Sequence, residues 1–394
     1  MRYNYVSIIR SHYPKLFGIR KKLQKIKVKR ISRFMITEEE IKMCESDCTK
    51  KKEIVNSYME RSKIFLRSSI AEMEHLFEHA PCYHSRTDID DVRTDMLFCR
   101  LAYGFIPSEY LCFELENKTP EERKEFVSDT DMNIFGYTVN DISEVQKVLD
   151  KSKSAQKFKE LYKRDILVIK SKKDKDSFLR FVEKHPVFVK KKVFSSMGKG
   201  VEKVDVKLID GTIEEYFDNL IAKNSVWLLE ELVKQKSQMA EFNPSSVNTI
   251  RCITLKTDSG VEIPWLFMRC GRDGQFVDNG GSGGILVGVD SKTGILNTDG
   301  YNEYNERFCV HPDSKVPFKN FIVPEFDQLK EICETAAHKE KDFGYLSWDL
   351  AYTDAGWIVV EVNEVGQFIV PQATMKKGIK EELNLYIKQM KKFI

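Results

Sequence analysis

The chain has 394 residues, 42% hydrophobic and 31% charged, proportions that exclude a disordered or fibrous protein; its length exceeds what one hydrophobic core usually holds, so two or three subdomains are expected. It contains no run of about 18 uncharged apolar residues, and no apolar stretch with a small-residue cleavage site at its start, so cytoplasmic residence is the expectation. The nine cysteines are odd in number and lack C-x-x-C spacing, which argues against both a disulfide framework and a zinc site.

Residues 1–35 hold six Lys, five Arg and no acid; this stretch carries +11, and residues 36–394 must carry −8 to reach the net +3. Such a basic helical arm either meets an anionic surface, a membrane face or an acidic glycan precursor, or docks as a solvated helix on the body of the protein. No interleaved aromatic platform follows it, and no nucleic-acid partner is expected. Residues 36–140 read as a helical N-terminal region, with Ile54, Tyr58, Phe65, Ile70, Met73 and Phe77 at spacings of three and four. Within it, Pro107, Pro120, the run Asp129 to Asn133 and Gly136 are turn signals, so 106–140 is expected to be a linker or cap.

From Arg164 the texture changes. Short β-branched runs at 166–169, 187–189, 201–206 and 226–229 alternate with helical stretches at 174–184 and 213–223, a compact α+β unit of about 70 residues. Longer strands are expected at 250–257, 261–270 and 284–290, then a helix at 325–339, a hairpin at 345–363 and a last helix at 376–393.

The hairpin carries the first chemical signal. Its turn centres near Ala355, so Asp349 and Glu361, equidistant from that centre, should face each other across the ladder, with Asn363 on the same face. Two opposed carboxylates among apolar neighbours repel and raise each other's pKa unless something neutralises them. A hard divalent cation held by carboxylate and amide oxygens would do so, and magnesium, which keeps waters and phosphate oxygens, fits two acids and an Asn. Acids on a solvated strand face would have no such need.

The second signal is on the phosphate side. The strand Val187-Phe-Val runs into Lys190, Lys191 and Lys192, and the loop Ser195-Ser-Met-Gly-Lys-Gly follows at once. Backbone N–H groups of such a loop can close over phosphate oxygens above a strand lysine, although many Lys-rich loops are only solvated turns. A second run, Asp278-Asn-Gly-Gly-Ser-Gly-Gly, interrupts a strand region, where close approach to a ligand or a bare turn accounts for the glycines.

Together these residues resemble the ATP-grasp superfamily, in its sugar-transfer associated branch, related to α-L-glutamate ligase-like proteins. The resemblance rests on an ordered series over roughly 140–394: Val187-Phe-Val-Lys with its Gly loop, Leu228-Leu-Glu-Glu-Leu-Val-Lys-Gln, Ser246-Val-Asn-Thr-Ile-Arg, Val277-Asp-Asn-Gly-Gly-Ser-Gly-Gly, His311-Pro, Trp348-Asp-Leu-Ala and Val360-Glu-Val-Asn. It implies an α+β ATP-grasp fold, with a small lid at 141–232 and a larger antiparallel-sheet subdomain at 233–394 behind the helical region. It implies ATP with Mg2+, two ions expected and Mn2+ as a substitute. The nucleotide would meet Lys151, Lys190, Ser196, Gly198 and Gly200 on its phosphates, and Glu230, Glu231 and Val233 at the adenine. Lys153 and Lys157 stand close enough to Lys151 to compete for its role. Asp349, Glu361 and Asn363 would hold the metal, and Arg251, Asn248, Asn279 and Lys190 would act on the transferring group.

For the acceptor, Arg269, Asp278, Gly283 and His311 are the candidates; Arg269 with Arg272 suits an anionic group but equally an edge strand, and His311 a structural loop. The activity implied is ATP-dependent carboxylate–amine ligation through an acyl phosphate, joining an amino acid or amine to a sugar or glycan-precursor carboxylate in polysaccharide biosynthesis. A small-molecule or sugar kinase on the same nucleotide site is the second reading. A non-catalytic nucleotide-binding partner of glycan assembly, with peripheral membrane contact through the basic arm, is the third.

Overall fold

The computed structural model describes residues 35–141, 144–194, 200–272, 274–276 and 283–392. Residues 1–34 of the basic arm, Ser196, Gly198, Asp278 and Asn279 lie outside the described residues.

The N-terminal region is helical, with long elements at Glu38–Ser46, Cys48–Arg61, Lys63–His79 and Ile89–Ala102 around a core of its own. The expected linker at 106–140 is instead three more helices, Pro107–Cys112, Pro120–Lys124 and Asp129–Val139. Pro107 and Pro120 occupy first-turn positions, where the missing N–H costs nothing. Thr119 and Ser128 are N-caps that accept from Glu122 and Asp131 N–H. Of the residues read as turn signals, Pro107, Pro120 and Asp129 start helices, while Asn133 and Gly136 lie inside the last of them.

Two antiparallel sheets follow. The small one contains β1 (Ile166–Ile169), β2 (Val187–Lys192), β3 (Glu202–Asp205) and β4 (Trp227–Glu231) in the order β1-β4-β2-β3. Helices Lys175–Lys184 and Ile213–Ala222 cover one face, burying Phe178, Phe181, Phe217 and Leu220 against Phe188, Trp227 and Leu229. The large sheet contains β5 (Thr249–Lys256), β6 (Val261–Cys270), β7 (Ile285–Val289), β8 (Leu296–Tyr301), β9 (Arg307–Phe308), β10 (Tyr345–Thr353) and β11 (Gly356–Asn363), in the order β11-β10-β5-β6-β7-β8-β9. One face packs on helix Phe326–Lys339 and on the short helices of 145–162, through Cys252, Leu266, Trp348, Phe158 and Tyr162. The opposite face packs on Asp129–Val139 and the C-terminal helices, through Ile253, Trp265, Phe267 and Tyr345.

The last helix is shorter than the expected 376–393. It is Lys380–Lys388, and a separate helix, Ile369–Met375, precedes it and ends at Lys376, which takes the left-handed region at φ 53°. Among the described residues no helix is long and apolar enough to cross a membrane.

Candidate nucleotide and metal site

Alternation along the strands builds the site. On one face of the large sheet the apolar residues Ile253, Phe267 and Tyr345 give way, two residues along each strand, to Arg251, Arg269 and Ser347, and then Asp349. Asp349 pairs with Arg251 on one side and with Glu361 on the other. Asn363, two residues beyond Glu361, shares its face and pairs with Ser347.

The acid pair forms as expected, but for a different reason. The turn pairs Thr353 with Gly356, which centres it between Asp354 and Ala355 and sets Leu350 against Val359. A bulge at Val360 inserts one residue into β11 and brings Glu361 opposite Asp349. Gly356 closes the turn at φ 78°, in the left-handed region, and a Cβ there would come within 2.6 Å of the Gln328 side chain.

The expected mutual repulsion of the two acids is also corrected. Asp349 is buried, which by itself raises its pKa, yet the Arg251 and Arg269 guanidinium groups hold its carboxyl below the usual range. Arg251 donates Nε to Oδ1 at 2.6 Å and Nη2 to Oδ2 at 2.5 Å, a bidentate fork, and Arg269 Nη1 donates to Oδ2 at 3.2 Å. Gln367 Oε1 accepts from Arg251 Nη1 at 3.0 Å and fixes the fork's orientation. Glu361 is a third exposed and pairs with Lys151 Nζ at 2.8 Å. The Asn363 side chain lies against the Asp349 carboxyl and adds to what holds it down.

Lys151 begins the helix Lys151–Lys157, capped by Asp150. Lys153 instead turns to Asp150 at 3.7 Å, and Lys157 pairs with Glu340 at 2.7 Å. Of the three candidate lysines, only Lys151 reaches the acid pair.

On the small sheet, Lys190 alternates with Phe188, so it points to the helix-covered face. There its ammonium sits 5.1 Å from the Trp227 ring centroid and pairs with Glu202 at 2.7 Å. Its neighbour Lys191 takes the opposite face with Val189 and Leu228 and pairs with Glu230 Oε1 at 2.7 Å. The lysine turned toward the large sheet is therefore Lys191, a correction of the expected Lys190. Burial pushes the Glu230 carboxyl up, but Arg164 and Lys191 hold it down. Arg164 also donates to the Val359 and Val360 carbonyls at 2.7 and 3.1 Å, tying the small sheet to the bulge of β11. Glu231 accepts from the Asp165 N–H at 3.1 Å, and Val233 is half-buried just before the bridge from Gln235 to Thr353. Glu230 is thus a member of a buried ion cluster, which leaves Glu231 and Val233 as the accessible pair at the strand end.

Two other expectations are corrected. Asn248 is fully buried and donates to the Met239 and Asn243 carbonyls at 2.7 and 3.0 Å, holding the 237–248 turn rather than facing a substrate. His311 is fully buried, with Nε2 donating to Gly271 O at 2.9 Å and Nδ1 accepting from the Asp313 and Ser314 N–H groups. Its ring braces the loop after β6. Arg272 pairs with Asp313 at 3.1 Å, while Gly200 and Gly283 take left-handed φ at 76° and 81°, each beside a glycine-rich run. Lys191, Arg164 and Gln367 were not singled out from the sequence. The alternation that placed Phe188 on the apolar side already implied Lys191; nothing local marks the other two.

The fold, the acid pair and the cation-rich cleft face define an ATP-grasp protein. Residues 133–388 match the family described as sugar-transfer associated ATP-grasp, and the chain belongs to that family. It is similar to the ATP-grasp ligase PsnB in complex with a phosphomimetic precursor variant, Mg and ADP, at 12% identity and TM-score 0.40, over 64% of this chain and 62% of that one. It is similar to the D-alanine-D-alanine ligase of Coxiella burnetii at 9% identity and TM-score 0.37, over 63% and 57%. The ligase of the same description from Bacillus anthracis aligns at 13% and 0.38, over 64% and 69%. The match thus spans about three fifths of the first of these chains. The comparison with curated proteins gives no match.

Proposed function

We propose that the chain is an ATP-dependent carboxylate–amine ligase that works through an acyl phosphate. The observation that carries this reading is the charge balance on one sheet face: three cations, Arg251, Arg269 and Lys151, against two carboxylates, Asp349 and Glu361. A face of that kind is overfilled with positive charge until a polyanion arrives. A bare divalent ion would add to the surplus, whereas its complex with a triphosphate offsets it. The donor set of Asp349, Glu361 and the Asn363 side-chain carbonyl, three oxygen donors on one face, fits the metal of MgATP and leaves positions for phosphate and water. When bound, magnesium neutralises charge on the transferring phosphoryl group.

The residues of the chain then divide the work. Lys151 and Lys191 hold phosphate oxygens from two sides, and the N–H groups near Gly200 close over them. Arg251 and Arg269 orient the acceptor carboxylate, whose oxygen bonds to the γ-phosphorus as the bond to the leaving ADP breaks. The amine nitrogen then bonds to the acyl carbon, inorganic phosphate departs and the amine gives up a proton. Arg251 offsets the charge on the carbonyl oxygen in that step, a role worth about 3–4 kcal/mol per donor. The finer reading places the carboxylate or amine on a sugar or glycan precursor of polysaccharide biosynthesis, in the cytoplasm, with the basic arm at the inner membrane face.

Purified chain with MgATP and panels of carboxylates and amines is expected to release ADP only when both acceptors are present, and hydroxylamine is expected to trap a hydroxamate. ADP release with a hydroxyl compound alone, giving a phosphorylated product stable to hydroxylamine, would instead establish the kinase reading.

The two strand lysines offer a sharper internal check. Lys191→Met is expected to raise the KM for ATP about tenfold, on the order of 1.4 kcal/mol of lost charge-assisted binding. Lys190→Met is expected to lower the unfolding midpoint while leaving that KM near wild type. Steady-state kinetics and thermal unfolding on both variants decide it, and the reverse pattern would return the phosphate role to Lys190.

A further inference from the structure

Away from the nucleotide site, a cavity of about 190 Å³ opens between the helical N-terminal region and the turn after β8. Tyr83, Arg86, Tyr110 and Glu116 line it from one side, Tyr304 and Asn305 from the other. Its volume is below the roughly 300–1,000 Å³ of sites for drug-sized ligands, enough for a single small ring.

The walls are polar but carry little uncompensated charge. Arg86 donates to Asp88 at 2.8 Å and to Glu116 at 2.7 Å, and Glu114 at the rim pairs with Lys376 at 2.8 Å. Tyr110 gives its hydroxyl proton to Asp95 at 2.9 Å, which leaves its ring as a wall. Tyr83 is different. It is 6% exposed, and its hydroxyl makes no hydrogen bond to any described residue. Burial raises its phenol above the ordinary range, so it stays a neutral O–H donor. A ligand that bonds to this hydroxyl gains a hydrogen bond that no described residue supplies.

This combination selects a ligand class. A strongly charged ligand would need a counter-charge that is already spent within the ion pairs. A purely apolar one would leave the Tyr83 hydroxyl unmatched. A neutral ring bearing several hydroxyls satisfies both: its C–H face lies on tyrosine rings and its O–H groups donate to Glu116 and accept from Tyr83. The same turn links the cavity to the other half of the molecule, because Glu303, next to Tyr304, lies with its carboxylate beside the Gly283 backbone amide. We infer that this cavity is a binding site for one neutral sugar ring, built from the helical region and the turn Asn302–Asn305. It goes beyond the ligase reading and does not depend on the transfer chemistry.

The test uses the full chain and saturation-transfer NMR with calorimetry, against methyl glycosides of glucose, galactose and N-acetylglucosamine and against their uronic-acid and amino-sugar counterparts. At least one neutral glycoside is expected to bind saturably without ATP. Tyr83→Phe, which deletes only the hydroxyl, is expected to weaken it about three- to tenfold, the range of one net hydrogen bond. Tyr304→Ala, on the half-buried turn, is a second variant should Tyr83→Phe fold poorly, and is expected to weaken binding at least as much. Absence of saturable neutral binding, tighter binding of the charged counterparts, or affinity unmoved in both variants overturns the proposal. ADP release on the same samples keeps the two readings apart. A chain that binds the glycoside and never releases ADP retains this site and loses the ligase reading, and one that releases ADP but binds no neutral glycoside does the opposite.

Discussion

Glu361→Gln is expected to reduce ADP release at saturating substrate by about 10³-fold, on the order of 4 kcal/mol in the barrier, while leaving the fold intact. The amide keeps the shape of the side chain but loses the charge that both Lys151 and a divalent ion would read. Glu361 is a third exposed, so its pair with Lys151 is partly screened by solvent, and stability should change by less than about 1 kcal/mol. Steady-state turnover alongside circular dichroism checks both halves. Wild-type turnover in a folded variant would sink the metal role of this residue, and with it the acid pair as the heart of the site.

Asp95→Asn tests the helical region and is expected to be the most destabilising of the single substitutions considered, by about 3–5 kcal/mol, the range for removing one partner of a buried ion pair. Asp95 accepts from Arg123 Nη2 at 2.7 Å, from Lys51 Nζ at 2.8 Å and from the Tyr110 hydroxyl at 2.9 Å, so three donors lose their charged acceptor at once. Burial pushes this carboxyl up, but Arg123 and Lys51 hold it below its ordinary value. Its folded pKa is depressed, so its stabilisation is present above the unfolded value near 4 and is lost as pH falls through the folded one. Urea unfolding should therefore show the largest gap between wild type and variant at neutral pH, narrowing below about pH 4. A gap that widened in acid would contradict the ion-pair account. Because Tyr110 lines the proposed sugar cavity, the same variant should weaken glycoside binding, whereas Glu361→Gln should not.

Several elements were legible in the sequence because their signals are local. Strand β10 buries all nine of its residues and β5 nearly as many, and their apolar runs between turns announce them. The strand β6 at 261–270 lies where expected, and the helix at 325–339 starts only one residue later. The region 106–140 was misread because Pro, Ser, Thr and Asp serve both turns and helix N-termini, and the difference lies in the three residues that follow. At Thr119 and Ser128 the acid at the third helical position completes a capping box, a local signal that distinguishes a helix start from a turn. Asn248 and His311 carried the right chemistry for a site, but side-chain type alone does not say whether the donors point at a ligand or at a nearby carbonyl.

The order of residues determined by itself that a terminal hairpin would form and that Glu361 and Asn363 would share one face, since a short turn and a two-residue period are local, but the observed turn alone would set Val360 against Asp349, and the bulge that brings Glu361 there came only with the folded ladder. What neutralises those acids was decided only in three dimensions. Arg251 reaches Asp349 because β5 lies beside β10 although a β-rich stretch of chain separates them, and Lys151 reaches Glu361 from a helix far upstream. Strand order is a property of how the whole apolar surface is buried, so no local period encodes which cation will stand across from which carboxylate. The same holds for the cavity, whose walls come from the helical region and from a turn of the large sheet, and exist as one surface only once the two have packed together.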